Sequence, residues 1–246
     1  MTTLENISPR CFALVDLPFR AGRKVNAGLV IGKGRTLIVD TGADRSSAQS
    51  IHQCAVSLQP LNTVIVVNTE CHIDHTGGNG FFRDRGIDIF GHHTIVKGTG
   101  RAVLHEGNEF VPPSSVTEEK GRILFFHGVR PVPPNRPLFA DMTISLGAVE
   151  VQIFPTPGHT HTNLSVYVPG ERIVYCGDCL AGGAVPPVQV LGSAQRRAWV
   201  RSIDRIAALA PRIAVPGHGP PLQESDLRRA LDQYRTLLQI DAPVTS

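Results

Sequence analysis

Hydrophobic positions along this chain follow two periods in turn. Short apolar runs predict strands over residues 11–17, 28–31 and 36–40, with Gly32, Lys33 and Gly34 turning the last two into a hairpin. Ala48, Ile51, Ala55 and Val56 then fall at helical spacing, which predicts a helix over residues 46–58. Residues 63–67 are β-branched on both faces, as a strand buried between two layers requires. A short helix over 77–85 and a strand over 87–90 follow. From about residue 92 to 137 the pattern breaks down around Pro112, Pro113, Pro131, Pro133, Pro134 and Pro137, with helical spacing only near residues 94–104. An irregular stretch of that length is commonly functional.

Regularity returns at Met142, Ile144 and Leu146 and again at Val149, Val151 and Ile153, two alternating strands joined at Gly147. Residues 164–168 and 172–175 form another pair, turned by Pro169 and Gly170. Ser193 is placed to cap a helix carrying Trp199, Ile203, Ile206 and Ala207 on one face. Residues 213–215 read as a last strand, and a final helix after Pro220 and Pro221 turns Leu227, Leu231, Tyr234 and Leu238 inward. Strands and then helix, in the same order twice, predict an α/β layered domain.

Composition narrows this picture. At 246 residues and 41% hydrophobic, the chain suits one large α/β unit, residues 1–246 forming a single domain. The net charge of +3 comes from scattered basic residues, so neither nucleic acid nor an anionic membrane is expected as a partner. No apolar run is long enough to span a bilayer. The first residues show no basic segment leading into an apolar one, so the expected location is cytoplasmic. Five cysteines make an odd count without a framework, which argues against a disulfide scaffold. Cys176 and Cys179 flank Asp178 at a strand end and read as packing around a tight turn, with a redox pair as the alternative.

The chemistry concentrates after the buried strand at 63–67. Glu70, His72, Asp74 and His75 put two carboxylates and two imidazoles into six residues, followed by Gly77 and Gly78. Such side chains make a poor core and a good metal cradle, because imidazole nitrogen and carboxylate oxygen suit borderline divalent ions. Cys71 lies between two of them and is expected to point away into packing. Three more ligand-type residues stand beside glycines: His159 after Gly158, Asp178 after Gly177 and His218 after Gly217. In an extended segment residues 70, 72 and 74 would share one side, with His75 turning away as the loop enters its helix.

This series resembles the metallo-β-lactamase superfamily, whose pattern is His-x-His-x-Asp-His, then a His, a bridging Asp or Cys, and a final His. The match runs from about Asn26 to Gly219, with one departure: Glu70 stands where the motif has its first histidine. The resemblance implies a four-layer αββα sandwich, with the irregular segment at about 92–137 as a variable rim of the substrate pocket. It implies two divalent metal ions, zinc or else Mn or Fe. Glu70, His72 and His159 would hold the first, Asp74, His75 and His218 the second, and Asp178 would bridge them. Asp74 is then the catalytic residue that orients a bridging hydroxide and shuttles its proton. Asp40 becomes a residue orienting a ligand, and Thr160, His161 and Asn163 either support the site, face substrate or lie on the surface.

Glu70, Asp74 and Asp178 together offset three of the four charges of two divalent ions, which favours harder metals than an all-histidine triad would. The resemblance thus implies a hydrolase of a small molecule with an ester, lactone, thioester or amide bond. β-Lactams stand lower, because residues 180–184 lack the lysine that the best-known lactamases carry after the bridging residue. Two alternatives stand beside it. One is a non-catalytic, metal-poor binding module in which Glu70 has disabled a site. The other is an iron-dependent oxygenase, although diiron relatives carry Glu at the second motif position. The oligomeric state is open, a homodimer included. His92, His93, His105 and His127 are expected on the rim or surface. Ser114 and Ser115 lack the surroundings of a serine nucleophile.

Overall fold

The computed structural model describes residues 2–19, 22–97, 132–183 and 191–239, apart from the side chains of 96 and 97. A first sheet has seven strands in sequence order: β1 (Thr3–Asn6), β2 (Cys11–Pro18), β3 (Lys24–Ile31), β4 (Arg35–Val39), β5 (Thr63–Val67), β6 (Ile89–His92) and β7 (Arg136–Leu138). A second has six, ordered β13 (Leu222–Gln223), β12 (Ile213–Pro216), β11 (Ile173–Gly177), β10 (Leu164–Val168), β9 (Glu150–Pro155) and β8 (Met142–Ser145). Helices α1 (Arg45–Leu58), α2 (Ile73–Thr76), α3 (Asn79–Arg83) and α4 (His93–Lys97) accompany the first sheet in sequence, and α5 (Ser193–Ala208) and α6 (Glu224–Gln239) the second.

Period-two alternation builds the layers. In β4, Leu37 and Val39 enter the core between the sheets, whereas Ile38 faces the helix side. Ile173 and Tyr175 of β11 face the first sheet, and Val174 and Cys176 lie under α5 and α6. Three apolar clusters result: one between the sheets, one under α1 and α3 with Ile51 and Phe82, and one holding Trp199, Ile203, Leu231 and Tyr234. Three interfaces define the four layers of the expected sandwich. No helix among the described residues is long and apolar enough to cross a membrane.

Several expectations need correction. Strands β1 and β7 lie where none was expected, and β7 falls inside the proline-rich stretch, pairing with β6 in parallel through Arg136, Pro137 and Leu138. An edge position tolerates Pro137 because an outward-facing nitrogen needs no hydrogen bond. Ser193 does not cap α5; Gly192 holds that position without a side-chain bond. The expected helix over 77–85 shortens to α3, and a separate turn, α2, precedes it, so Asp74 sits on a helical turn rather than in an extended segment with residues 70 and 72. Short strand β13 intervenes before the last helix. Most of the rim expected at 92–137, with the helical spacing beyond 97 and His105 and His127, lies outside the described residues.

Candidate metal centre

Strand direction brings the chemistry to one edge of the sandwich. β4 and β5 run parallel, as do β11 and β12, so their carboxyl ends open on common sides. From these ends come Asp40, the loop with Glu70 and His72, Asp178, and His218. The turn between β9 and β10 adds His159. Backbone bonds tie the sheets together here: Leu164 N–H donates to the Thr69 carbonyl at 2.7 Å and Asn26 N–H to that of Gly217 at 2.7 Å.

Seven expected ligand residues meet in two groups, Glu70, His72, His159 and Asp178 in one and Asp74, His75 and His218 in the other. Within each group the ligand atoms lie within 4.8 Å of one another. His159 Nε2 is 3.2 Å from His72 Nδ1 and 3.3 Å from Asp178 Oδ2. His218 Nε2 is 3.2 Å from Asp74 Oδ2 and 3.3 Å from Asp178 Oδ2, and His75 Nε2 is 3.4 Å from Asp178 Oδ1. Asp178 therefore faces histidines of both groups. Donors on a tetrahedral ion with bonds of about 2.1 Å lie about 3.4 Å apart, so these separations match tetrahedral edges. Glu70 Oε1, His75 Nε2 and Asp178 Oδ1 are buried without a hydrogen-bond partner. Buried polar atoms left so are costly, and this donor set fits divalent cations.

The surroundings orient the imidazoles. His75 Nδ1–H donates to Asp40 Oδ2 at 2.9 Å, which directs Nε2 into the site. Asp40 also accepts from the Thr69 backbone N–H and hydroxyl, each at 2.7 Å, and so fixes the loop as well as the ring. Its backbone has φ +66, a conformation that an Asp tolerates better than most residues. His218 Nδ1–H donates to the Lys24 carbonyl at 2.5 Å. Asn26, buried at the start of β3, donates to the carbonyls of Pro216 at 3.0 Å and Gly219 at 2.7 Å and secures the His218 loop. Neither support was expected from the sequence. A carbonyl leaves no mark in a sequence, whereas an asparagine between Val25 and Ala27 was a visible signal.

Burial penalises charge here, and it keeps the Asp40 carboxyl above its usual range despite His75 and Thr69. Facing charges override it at Asp178, Asp74, His72, His75 and His218. Histidines hold the Asp178 and Asp74 carboxyls below the usual range despite their burial. Burial opposes protonation of His72, yet Glu70 and the other carboxylates raise it to about 9. Asp178 and Asp74 likewise raise His218 to about 11, and Asp40 with the inner carboxylates raises His75 well above its ordinary value.

The remaining expected residues divide. Asn163 Oδ1 accepts from the Thr160 N–H at 2.6 Å, and both residues are buried, so they staple the loop that presents His159. His161 is exposed, with Nε2 3.3 Å from the Thr94 hydroxyl on the rim. There the His93 ring also stacks on Phe139. Cys71 is buried and belongs to neither ligand group. Cys176 and Cys179 are free and fully buried, and burial pushes the Cys179 thiol up to about 12, where it stays protonated at neutral pH.

Comparisons with known proteins bear on the family and the fold. The family model described as "Metallo-beta-lactamase superfamily" matches residues 20–218. The acyl-coenzyme A thioesterase MBLAC2 of Gallus gallus is 25% identical over 88% of this chain and 80% of its own. The metallo-beta-lactamase type 2 of Bacteroides fragilis is 25% identical over 79% of this chain and 68% of its own. Among solved structures, a metallo-beta-lactamase family protein of Thermus thermophilus superposes with a TM-score of 0.72 at 24% identity, covering 94% of this chain and 79% of that one. The metallo-beta-lactamase of Pontibacter korlensis gives 0.69 at 18% identity, covering 98% of this chain and all of the other. At such identities the structures speak for the fold.

Proposed function

From the premise that the chain belongs to the metallo-beta-lactamase superfamily, we propose that it is a two-metal hydrolase of a small thioester, ester or lactone. Zinc is the proposed ion, with manganese or iron the alternatives that the carboxylate content allows. The observation that carries the reading is the pair of ligand groups, joined through Asp178 and containing buried polar atoms with no other partner. Glu70, His72 and His159 would hold one ion, Asp74, His75 and His218 the other, with Asp178 between them. A non-catalytic module would have no reason to keep these groups aimed at one another. The thioesterase relatives tilt the substrate towards an acyl thioester rather than a β-lactam.

When bound, such ions supply a water acidified to a pKa of about 7 and a Lewis acid for the scissile carbonyl. The protein's own residues do the remaining work. Asp74 Oδ2 faces His218, which leaves Oδ1 to take the proton of the attacking water, and the histidines keep that carboxylate ionised. Asp40 and the Lys24 carbonyl hold His75 and His218 in the tautomers that present Nε2. Asn163 and Thr160 hold the turn that carries His159.

Elemental analysis of protein purified without chelator and reconstituted with zinc, followed by a panel of acyl thioesters, lactones and β-lactams, tests the proposal. It expects two ions per chain and fastest turnover on thioesters or lactones. His72→Ala and Asp178→Ala should lose metal and turnover together. Full turnover in either variant would sink the ligand assignment.

A further inference from the structure

We propose that Glu70 is a second bridging carboxylate, shared by both metal sites opposite Asp178, rather than a ligand of the first site alone. This rests on the two-ion reading above and assigns one residue within it. Glu70 is completely buried, at 0% exposure, on the loop between β5 and α2. Its two oxygens face different groups. Oε2 lies 2.6 Å from His72 Nδ1 and 3.8 Å from His159 Nε2, both of the first group. Oε1 lies 3.6 Å from Nε2 of His75, which belongs to the second.

Asp178 likewise reaches both groups, His159 and His218 with Oδ2, each at 3.3 Å, and His75 with Oδ1 at 3.4 Å. The geometry that makes Asp178 a bridge therefore applies to Glu70 as well. The two carboxylates converge on His75 Nε2, a buried atom without a hydrogen-bond partner, as is Glu70 Oε1 itself. Donors shared by one ion lie about 3.4 Å apart, and 3.6 Å is close to that edge.

Side-chain chemistry explains why this position differs from a histidine. An imidazole turns one nitrogen towards an ion while its other nitrogen points away across the ring, so it serves one metal. A carboxylate has two oxygens on one carbon and can serve two. At residue 70 the exchange therefore supplies an additional donor to the second ion and replaces, rather than removes, the donor to the first. The second ion would then be held by Asp74, His75, His218, Asp178 and Glu70.

Stepwise zinc affinities of the full chain test this, measured by chelator competition for the wild type and for Glu70→His, with elemental analysis of each. The metal-free melting temperature checks that the variant folds. The wild type should bind two ions. Glu70→His should keep the first ion and hold the second at least about tenfold more weakly, since even loss of a supporting group costs that much. Anomalous diffraction from zinc-loaded wild-type crystals gives a measurement independent of any variant, and should find Glu70 Oε1 bonded to the second ion. Two ions in the wild type, with second-ion affinity unchanged in Glu70→His or with Oε1 unbonded to that ion, would overturn the bridge and leave the two-ion site standing. Fewer than two ions in the reconstituted wild type would overturn both.

Discussion

Single side chains at this centre are placed by charge, and that has a consequence for protons. In the metal-free protein His72 is raised to about 9 and His218 to about 11, from an ordinary 6.5. Their contribution to stability is fully present below the unfolded value and is lost as pH rises through the folded values. Divalent ions must displace those protons to reach the nitrogens, so binding releases protons and strengthens as pH rises. Between pH 6 and 8 the zinc affinity should climb about tenfold per pH unit for each proton displaced. Calorimetry in buffers of differing ionisation enthalpy counts the protons released. An affinity flat across that range contradicts the charged histidines. At this scale the sequence was informative, because a ligand must be one of a few residue types. All seven residues expected from the motif meet in the two groups.

Elements act by aiming those side chains, and two glycines show how tightly. Gly177 has φ +49, and a Cβ there would collide with the Thr69 hydroxyl. A Cβ on Gly217 would overlap Asp178 Oδ1 and lie 2.8 Å from His75 Cε1. Gly217→Ala should thus displace Asp178 or His75. Elemental analysis should show at least one ion lost per chain, while circular dichroism retains the native secondary structure. Two ions in that variant would mean that the loop relaxes freely. Long elements were legible because one face is buried at a fixed period: Leu227, Leu231, Tyr234 and Leu238 line the inner face of α6, as their spacing requires. Strands β1 and β7 were not, since edge strands of 4 and 3 residues bury too little to show a period. The turn of α2 was missed for a different reason, because two ligands on it interrupt the apolar pattern.

Across the whole molecule, the centre depends on contacts between segments far apart in sequence. Asn26 reaches the Pro216 carbonyl, 190 residues away, and the His218 ring rests on the Lys24 carbonyl. Asn26→Ala leaves buried acceptors without their donor, which should cost about 1–3 kcal/mol of stability. It should also loosen His218 and weaken the second ion. A melting curve and a zinc titration of the same variant check both, and an unchanged affinity would confine Asn26 to a structural role. The layered class and the ligand types were written in the sequence, because hydrophobic period and donor chemistry are local properties of consecutive residues. The partners of those ligands were not. Which carbonyl fixes His218, and which groups the two oxygens of Glu70 face, were decided only when both sheets closed on one edge. Contact across the sandwich depends on how the layers pack, and no short run of the chain contains that information.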